Sequence, residues 1–278
     1  MYLSPKEIVE QYINASVAKT KLSTGKVIGK SIFAGMMIAM GAACSNVAVH
    51  AIDNVGVARL VAGCVFPVGL MMVILMGAEL FTGDCLMAMA VSDKRIKLTQ
   101  FIRVLVLVYL GNFIGGFATA ALMYLSGQFN YSSGRLGAYT IKVALGKVTL
   151  TPVQGIASGI LCNILVCAAV VIAMSSKDVT GKLWASFFVI MPFVTGGFEH
   201  CVANMYYISA GLLAKLSPDY VEAAGSIYGL TDISALGVKG FLINNLIPVT
   251  IGNIIGGSLC IGLPMLYLNY KEGSRKEN

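Results

Sequence analysis

The chain has 278 residues, 57% of them hydrophobic and only 12% charged, with a formal net charge of +7. A soluble domain of this length carries about twice that charged fraction, so the composition excludes an ordinary globular enzyme and points to a polytopic α-helical membrane protein. The basic excess flanks apolar stretches instead of forming one face, which reads as a topology signal and gives no support to a nucleic-acid partner. The cysteines at 44, 64, 85, 162, 167, 201 and 260 all fall in or beside apolar runs. They form neither CxxC nor a spaced Cys/His set, so no metal site, disulfide framework or cofactor is predicted.

At the start, MYLSPKEIVEQYINAS lacks the apolar core of a signal peptide, and no cleavage is expected. Ser4-Pro5-Lys6-Glu7 has the form of a helix start with a capping box. Ile8, Val9, Tyr12, Ile13 and Val17 then recur at helical spacing, which predicts an amphipathic helix over 1–27 lying along the membrane surface. A solvated leader is the other reading of the same pattern.

Six stretches near the roughly 20 residues a bilayer requires follow at 28–50, 60–91, 101–125, 153–175, 184–212 and 241–269. The second and fifth are interrupted, by Glu79-Leu80-Phe81-Thr82-Gly83-Asp84 and by Thr195–His200. With both termini on the cytoplasmic side, 14 Lys and Arg fall inside and 6 outside, the latter being Arg59, Arg135, Lys142, Lys147, Lys215 and Lys239. The positive-inside rule favours that orientation, and six spans fit its parity.

The two halves echo each other. Gly111-Asn112-Phe113-Ile114-Gly115-Gly116 returns as Gly252-Asn253-Ile254-Ile255-Gly256-Gly257; Glu79 and Asp84 match Glu199 and Asn204; Ala34-Gly35 has a fainter echo in Ser158-Gly159. Three spans per half is an odd number, so the second half must be inverted. The predicted organisation is a three-helix repeat at 28–125, an outer connecting segment at 126–152, an inverted repeat at 153–270 and a cytoplasmic tail at 271–278. Inverted repeats with matching broken helices place a substrate path at their interface near the midplane.

The stretch Pro192–Tyr206, PFVTGGFEHCVANMY, is the centre of this reading. It holds a carboxylate, an imidazole and two adjacent glycines inside an apolar run. Ionisable residues at membrane depth are expensive and by default mark a functional site, and a broken helix survives there only if packed in protein or lining a polar cavity. A buried polar pair that merely holds helices together is the alternative. No HExxH, nucleophile elbow or paired-carboxylate arrangement is present, so an enzyme is not predicted.

EHCVANMY, the ELFTGD break and the GNxxGG ends together resemble the formate/nitrite transporter family, and the resemblance runs through all six spans; the N-terminal half looks closest to the bacterial hydrosulfide channel branch. It implies an aquaporin-like, all-α protomer of six transmembrane helices with helices two and five broken. It further implies a homopentamer in the bilayer of the bacterial cytoplasmic membrane, with one pore per protomer for a small monovalent anion such as formate, nitrite or hydrosulfide. The paired Asn-Pro-Ala signatures of water channels are absent. Carried over by position, His200 and Thr82 are the pore centre. Leu80, Phe81 and Phe193 match an outer constriction; Phe66, Leu70, Asn163 and Val166 match an inner one. Lys147 matches an anion-attracting residue at the outer mouth and Glu199 a supporting acid beside the histidine. Gly83-Asp84 after Thr82 departs from the pattern.

Desolvating an anion between apolar rings costs several kcal/mol even after relaxation. Lys147 can concentrate anions at the mouth, half-helix N-termini aim N–H groups inward, and His200 can donate a hydrogen bond or a proton. The expected function is a membrane channel for small weak-acid anions, crossing either protonated at His200 or held by a neutral His200. A proton-coupled secondary anion transporter is the alternative.

Overall fold

A computed structural model describes residues 2–271. Among them, six helices are long and apolar enough to cross a membrane: Thr24–Val49 (α2), Val55–Leu75, Leu98–Leu125 (α7), Pro152–Ser175 (α9), Val179–Gly196 (α10) and Gly240–Tyr270 (α13). The second bends at Pro67 into α3 (Val55–Val65) and α4 (Val68–Leu75), because proline lacks the N–H that would continue the ladder. It then breaks and resumes as α5 (Phe81–Asp84) and α6 (Ala88–Ser92). The fifth breaks after α10 and resumes as α11 (Cys201–Ala214). The interruptions fall where the polar and glycine residues place them. Most of the tail expected at 271–278 lies outside the described residues.

The capping box at Ser4 forms as its sequence dictates: the Glu7 carboxylate accepts from the Ser4 backbone N–H at 2.7 Å while the Ser4 hydroxyl accepts from Glu7 N–H. The helix it starts, α1 (Pro5–Thr20), buries Ile8, Val9, Tyr12 and Ile13. That apolar face packs against α6, α7, α9 and the end of α13. The apolar stripe of this amphipathic helix is therefore covered by the protein's own chain.

Glycines let α7 and α13 approach their partners. A side chain at Gly115 would strike the Ile32 carbonyl of α2, and one at Gly256 the Ile160 carbonyl of α9. The two contacts are equivalent, with α2 corresponding to α9 and α7 to α13. The same register sets Gly159 against Ser31: Asn112 Nδ2 donates to the Ser31 carbonyl and Asn253 Nδ2 to the Gly159 carbonyl. The faint echo of Ala34-Gly35 in Ser158-Gly159 is thus out of register and is replaced by this one.

The segment between the halves folds as α8 (Arg135–Val148) and packs on α12 (Pro218–Tyr228), which follows α11. Gly137 lies against the Tyr220 ring, and the Tyr220 hydroxyl donates to Asn130 Oδ1 at 2.6 Å. Together they wall the end of the molecule opposite α1. The sequence pattern carried no sign of α12.

Candidate functional site

The site is built from the two interruptions. Helix α10 ends at Gly197, whose φ of +70° is left-handed, the conformation glycine tolerates best; a Cβ there would also meet the Arg59 guanidinium. Phe198 and Glu199 follow, and His200 then caps α11. Its Nδ1 accepts from Ala203 N–H at 3.2 Å. That bond assigns the ring proton of the neutral imidazole to Nε2. Nε2 lies 3.0 Å from Thr82 Oγ1 in α5 and donates to it. His200 is 2% exposed and Thr82 0%.

Around this pair, each break is held by one asparagine. Asn112 Oδ1 accepts from Phe81 N–H at 2.9 Å, and its amide donates to the Ser31 and Glu79 carbonyls. Asn253 Oδ1 accepts from Cys201 N–H at 2.9 Å, and its amide donates to the Gly159 and Glu199 carbonyls. The first N–H groups and the stranded carbonyls of a helix break need such partners at membrane depth.

Each break also carries a buried glutamate answered by lysine. Glu199 Oε1 pairs with Lys147 at 2.9 Å, and Oε2 accepts from Asn204 at 2.6 Å and Asn245 at 3.2 Å. At the other break Glu79 pairs with Lys19 at 2.6 Å and Lys30 at 3.3 Å, and Lys19 also pairs with Asp84. Two charges this far from water persist only when paired and hydrogen-bonded.

A cavity of about 630 Å³ leads down to His200. Arg59, Arg135, Lys142 and Lys147 line it together with the carboxylates Asp53 and Glu199. Cations therefore outnumber carboxylates on its walls, which favours anions. Lys147 is not a free attractor, since Glu199 takes its charge; the bias belongs to the whole wall.

The expected constrictions regroup. Phe66 and Phe193, assigned to opposite rings, stand edge to face with centroids 5.6 Å apart, and Phe193 lies 5.8 Å from the His200 ring. Both line the cavity. Phe66, expected at the inner constriction, and Phe193, expected at the outer one, thus share a wall of this cavity. Leu80 and Phe81 do not line the cavity; they flank Thr82 in the buried turn, with Phe81 packed edge to face on Tyr109. Asn163 turns both amide hydrogens to the carbonyls of Thr82 and Asn253, at 3.1 and 2.6 Å. It joins the two halves and offers no free donor. Leu70 and Val166 are buried in α4 and α9.

The sequence profile described as Formate/nitrite transporter matches residues 6–267, nearly the whole chain. The chain belongs to the formate/nitrite transporter family. It is 42% identical over 218 residues to a protein named Formate channel FocA from Haemophilus influenzae, covering 77% of this chain and 75% of that one. It is 35% identical over 289 residues to a Probable formate transporter of Methanothermobacter thermautotrophicus, covering 98% of each. A solved structure described as a pentameric formate channel with formate bound superposes with a TM-score of 0.78 at 31% identity, covering 88% of this chain and 98% of that one. Another, an FNT family ion channel, gives 0.82 at 26% identity, covering 94% and 98%. These relatives are channels and transporters, not enzymes.

His200 and Thr82, singled out in the sequence, are brought within 3.0 Å of each other at the two breaks, whereas Asn245, Lys19 and Tyr12 were not foreseen as partners. The only available signal for Lys19 was the presence of two intramembrane acids, Glu79 and Asp84, that required a cation from somewhere.

Proposed function

We propose that this chain forms a channel for small monovalent weak-acid anions of the formate, nitrite and hydrosulfide class, in a membrane and as a homopentamer like the solved relative. The observation that carries the proposal is the His200–Thr82 pair at the floor of a cation-biased cavity. An anion drawn down past Phe66 and Phe193 meets Nε2–H, and the Thr82 hydroxyl can turn to donate to the same guest. These two donors stand in for part of the lost hydration shell, which is what lets charge enter a narrow apolar slot.

The position of the ring proton favours a neutral donor over a proton relay. A second proton on His200 must go to Nδ1, where Ala203 N–H already points; two donors would then face each other, and the cap of α11 would be lost. A proton-coupled secondary transporter needs that second proton to come and go in every cycle. On this reading the cavity end is the outer mouth and both termini are cytoplasmic, the orientation the Lys and Arg count favours.

The test is flux into proteoliposomes for formate, nitrite, hydrosulfide and chloride at two pH values, with wild type and His200→Asn. Saturable weak-acid anion flux that falls at least about tenfold in the variant supports the proposal. No anion flux from the wild-type protein, or flux indifferent to His200→Asn, overturns it. Stoichiometric proton uptake with each anion decides for the transporter.

A further inference from the structure

Thr82 sits in a helix one turn long, Phe81–Asp84. A single turn has almost no internal hydrogen bonds, so its backbone groups must be held from outside. Two of those holds come from α1, an element remote in sequence and outside the six spans. The Tyr12 hydroxyl donates to the Gly83 carbonyl, the residue after Thr82, at 2.7 Å and in full burial. Lys19, two turns further along α1, reaches both ends of the interruption: its ammonium pairs with Glu79 at 2.6 Å and with Asp84. The hexapeptide Glu79–Asp84 is thus clamped at its two ends and at Gly83 by one helix. From the other side, Cys167 and Asn163 of α9 both donate to the Thr82 carbonyl.

We propose that α1 is part of the selectivity machinery: Tyr12 and Lys19 are positioning residues that set the Thr82 hydroxyl against His200 Nε2. The inference rests on the reading of Thr82 and His200 as the anion site. A donor pair 3.0 Å apart around a guest of a few atoms tolerates displacements of only about 0.5 Å before it stops matching. Nothing within the four-residue turn supplies that stiffness; α9 restrains the Thr82 carbonyl and Asn112 the Phe81 N–H and Glu79 carbonyl, which leaves the Gly83 carbonyl and the Asp84 carboxylate to α1. Neither Tyr12 nor Lys19 lines the cavity, so any effect on selectivity has to travel through the Gly83 carbonyl and the two carboxylates. Asp84 supplies the second anchor for Lys19, and Gly83 leaves its carbonyl open to the tyrosine.

Tyr12→Phe in the full chain removes one hydroxyl and leaves the packing ring in place. The expected result is a half-saturation concentration for formate about fivefold higher and a lowered ratio of formate to chloride flux, with α1 as resistant to protease as in wild type. Lys19→Met is expected to shift both quantities further and Lys19→Arg to restore most of the ratio. Tyr12→Phe and Lys19→Met that both leave the ratio and half-saturation unchanged overturn the inference. So does a gain in flux for every anion alike, which would make α1 a plug and not a positioning element. Should Lys19→Met fail to assemble, Tyr12→Phe decides alone. A wild-type protein without formate flux sinks the functional reading and this inference together, whereas flux lost in His200→Asn but indifferent to both Tyr12→Phe and Lys19→Met sinks this inference only.

Discussion

Asn253 repeats, at the second break, every bond that Asn112 makes at the first: one amide N–H of the resumed helix accepted, and two carbonyls satisfied, one from the glutamate before the break and one from the neighbouring span. Inverted halves need not be equal in sequence to be equal in function. Here the equality is kept at the one side chain type whose amide can both give and accept in a single plane.

Removing either amide leaves two buried backbone groups without partners, the first N–H of the resumed helix and the glutamate carbonyl, each costing about 1–3 kcal/mol. Asn112→Leu and Asn253→Leu are therefore expected to destabilise the fold by about 3 kcal/mol or more, and Asn→Asp to be nearly as costly, since it returns the acceptor without the donors. Thermal unfolding in detergent measures this. A loss below about 1 kcal/mol for both leucine variants would mean water or a relaxed backbone replaces the amide.

The Lys147–Glu199 pair makes a second prediction. Lys147→Met strands a carboxylate that keeps only the Asn204 and Asn245 amides, and stranding one partner of a buried pair typically costs about 3–5 kcal/mol. Adding Glu199→Gln should recover much of that loss, because the remaining side chain is neutral and still accepts from Asn204 or Asn245. The coupling in a double-mutant cycle reads the interaction directly. Additive effects would show that the two residues act independently.

How far the sequence disclosed this site depends on the range of each interaction. The breaks were legible because glycine, glutamate and histidine inside an apolar run leave few ways to stay in a membrane. The cap at Ser4 was legible because it spans three residues. By contrast, the partners of Glu79 and Asp84 lie in α1, and nothing in the local pattern of Ile8, Val9, Tyr12 and Ile13 distinguishes an apolar stripe facing lipid from one facing protein. The contact between Phe66 and Phe193 was illegible for a similar reason. Apolar rings carry no mark of the neighbour they face, and only the folded chain brings the two to 5.6 Å on one cavity wall.

Glu7 provides a pH-dependent prediction outside the membrane. Hydrogen bonds from the Ser4 hydroxyl and backbone hold its carboxyl below the ordinary value of 4.5. A carboxylate depressed by folding contributes stability above its unfolded pKa and loses it as pH falls through the folded value. The first turn of α1 should accordingly fray only as pH falls below that ordinary value, seen as faster amide exchange at the start of the helix than in α2. Glu7→Gln should remove that dependence on pH. Exchange in this turn that is flat down to the acid limit in wild type counts against the capping box as the cause.

His200 carries two separable duties, and substitution can divide them. Its Nδ1 caps α11 through Ala203, and its Nε2 faces Thr82. Asparagine can cap with its side-chain oxygen but reaches too short to replace Nε2–H. His200→Asn is thus expected to keep wild-type thermal stability within about 0.5 kcal/mol while anion flux falls. His200→Leu loses both duties, with a further cost of about 1 kcal/mol for the missing cap and a buried Ala203 N–H left without its acceptor. Equal stability for the two variants would show that the Nδ1 cap is energetically idle. Equal and undiminished flux would show that the donor facing Thr82 does nothing for the passing anion.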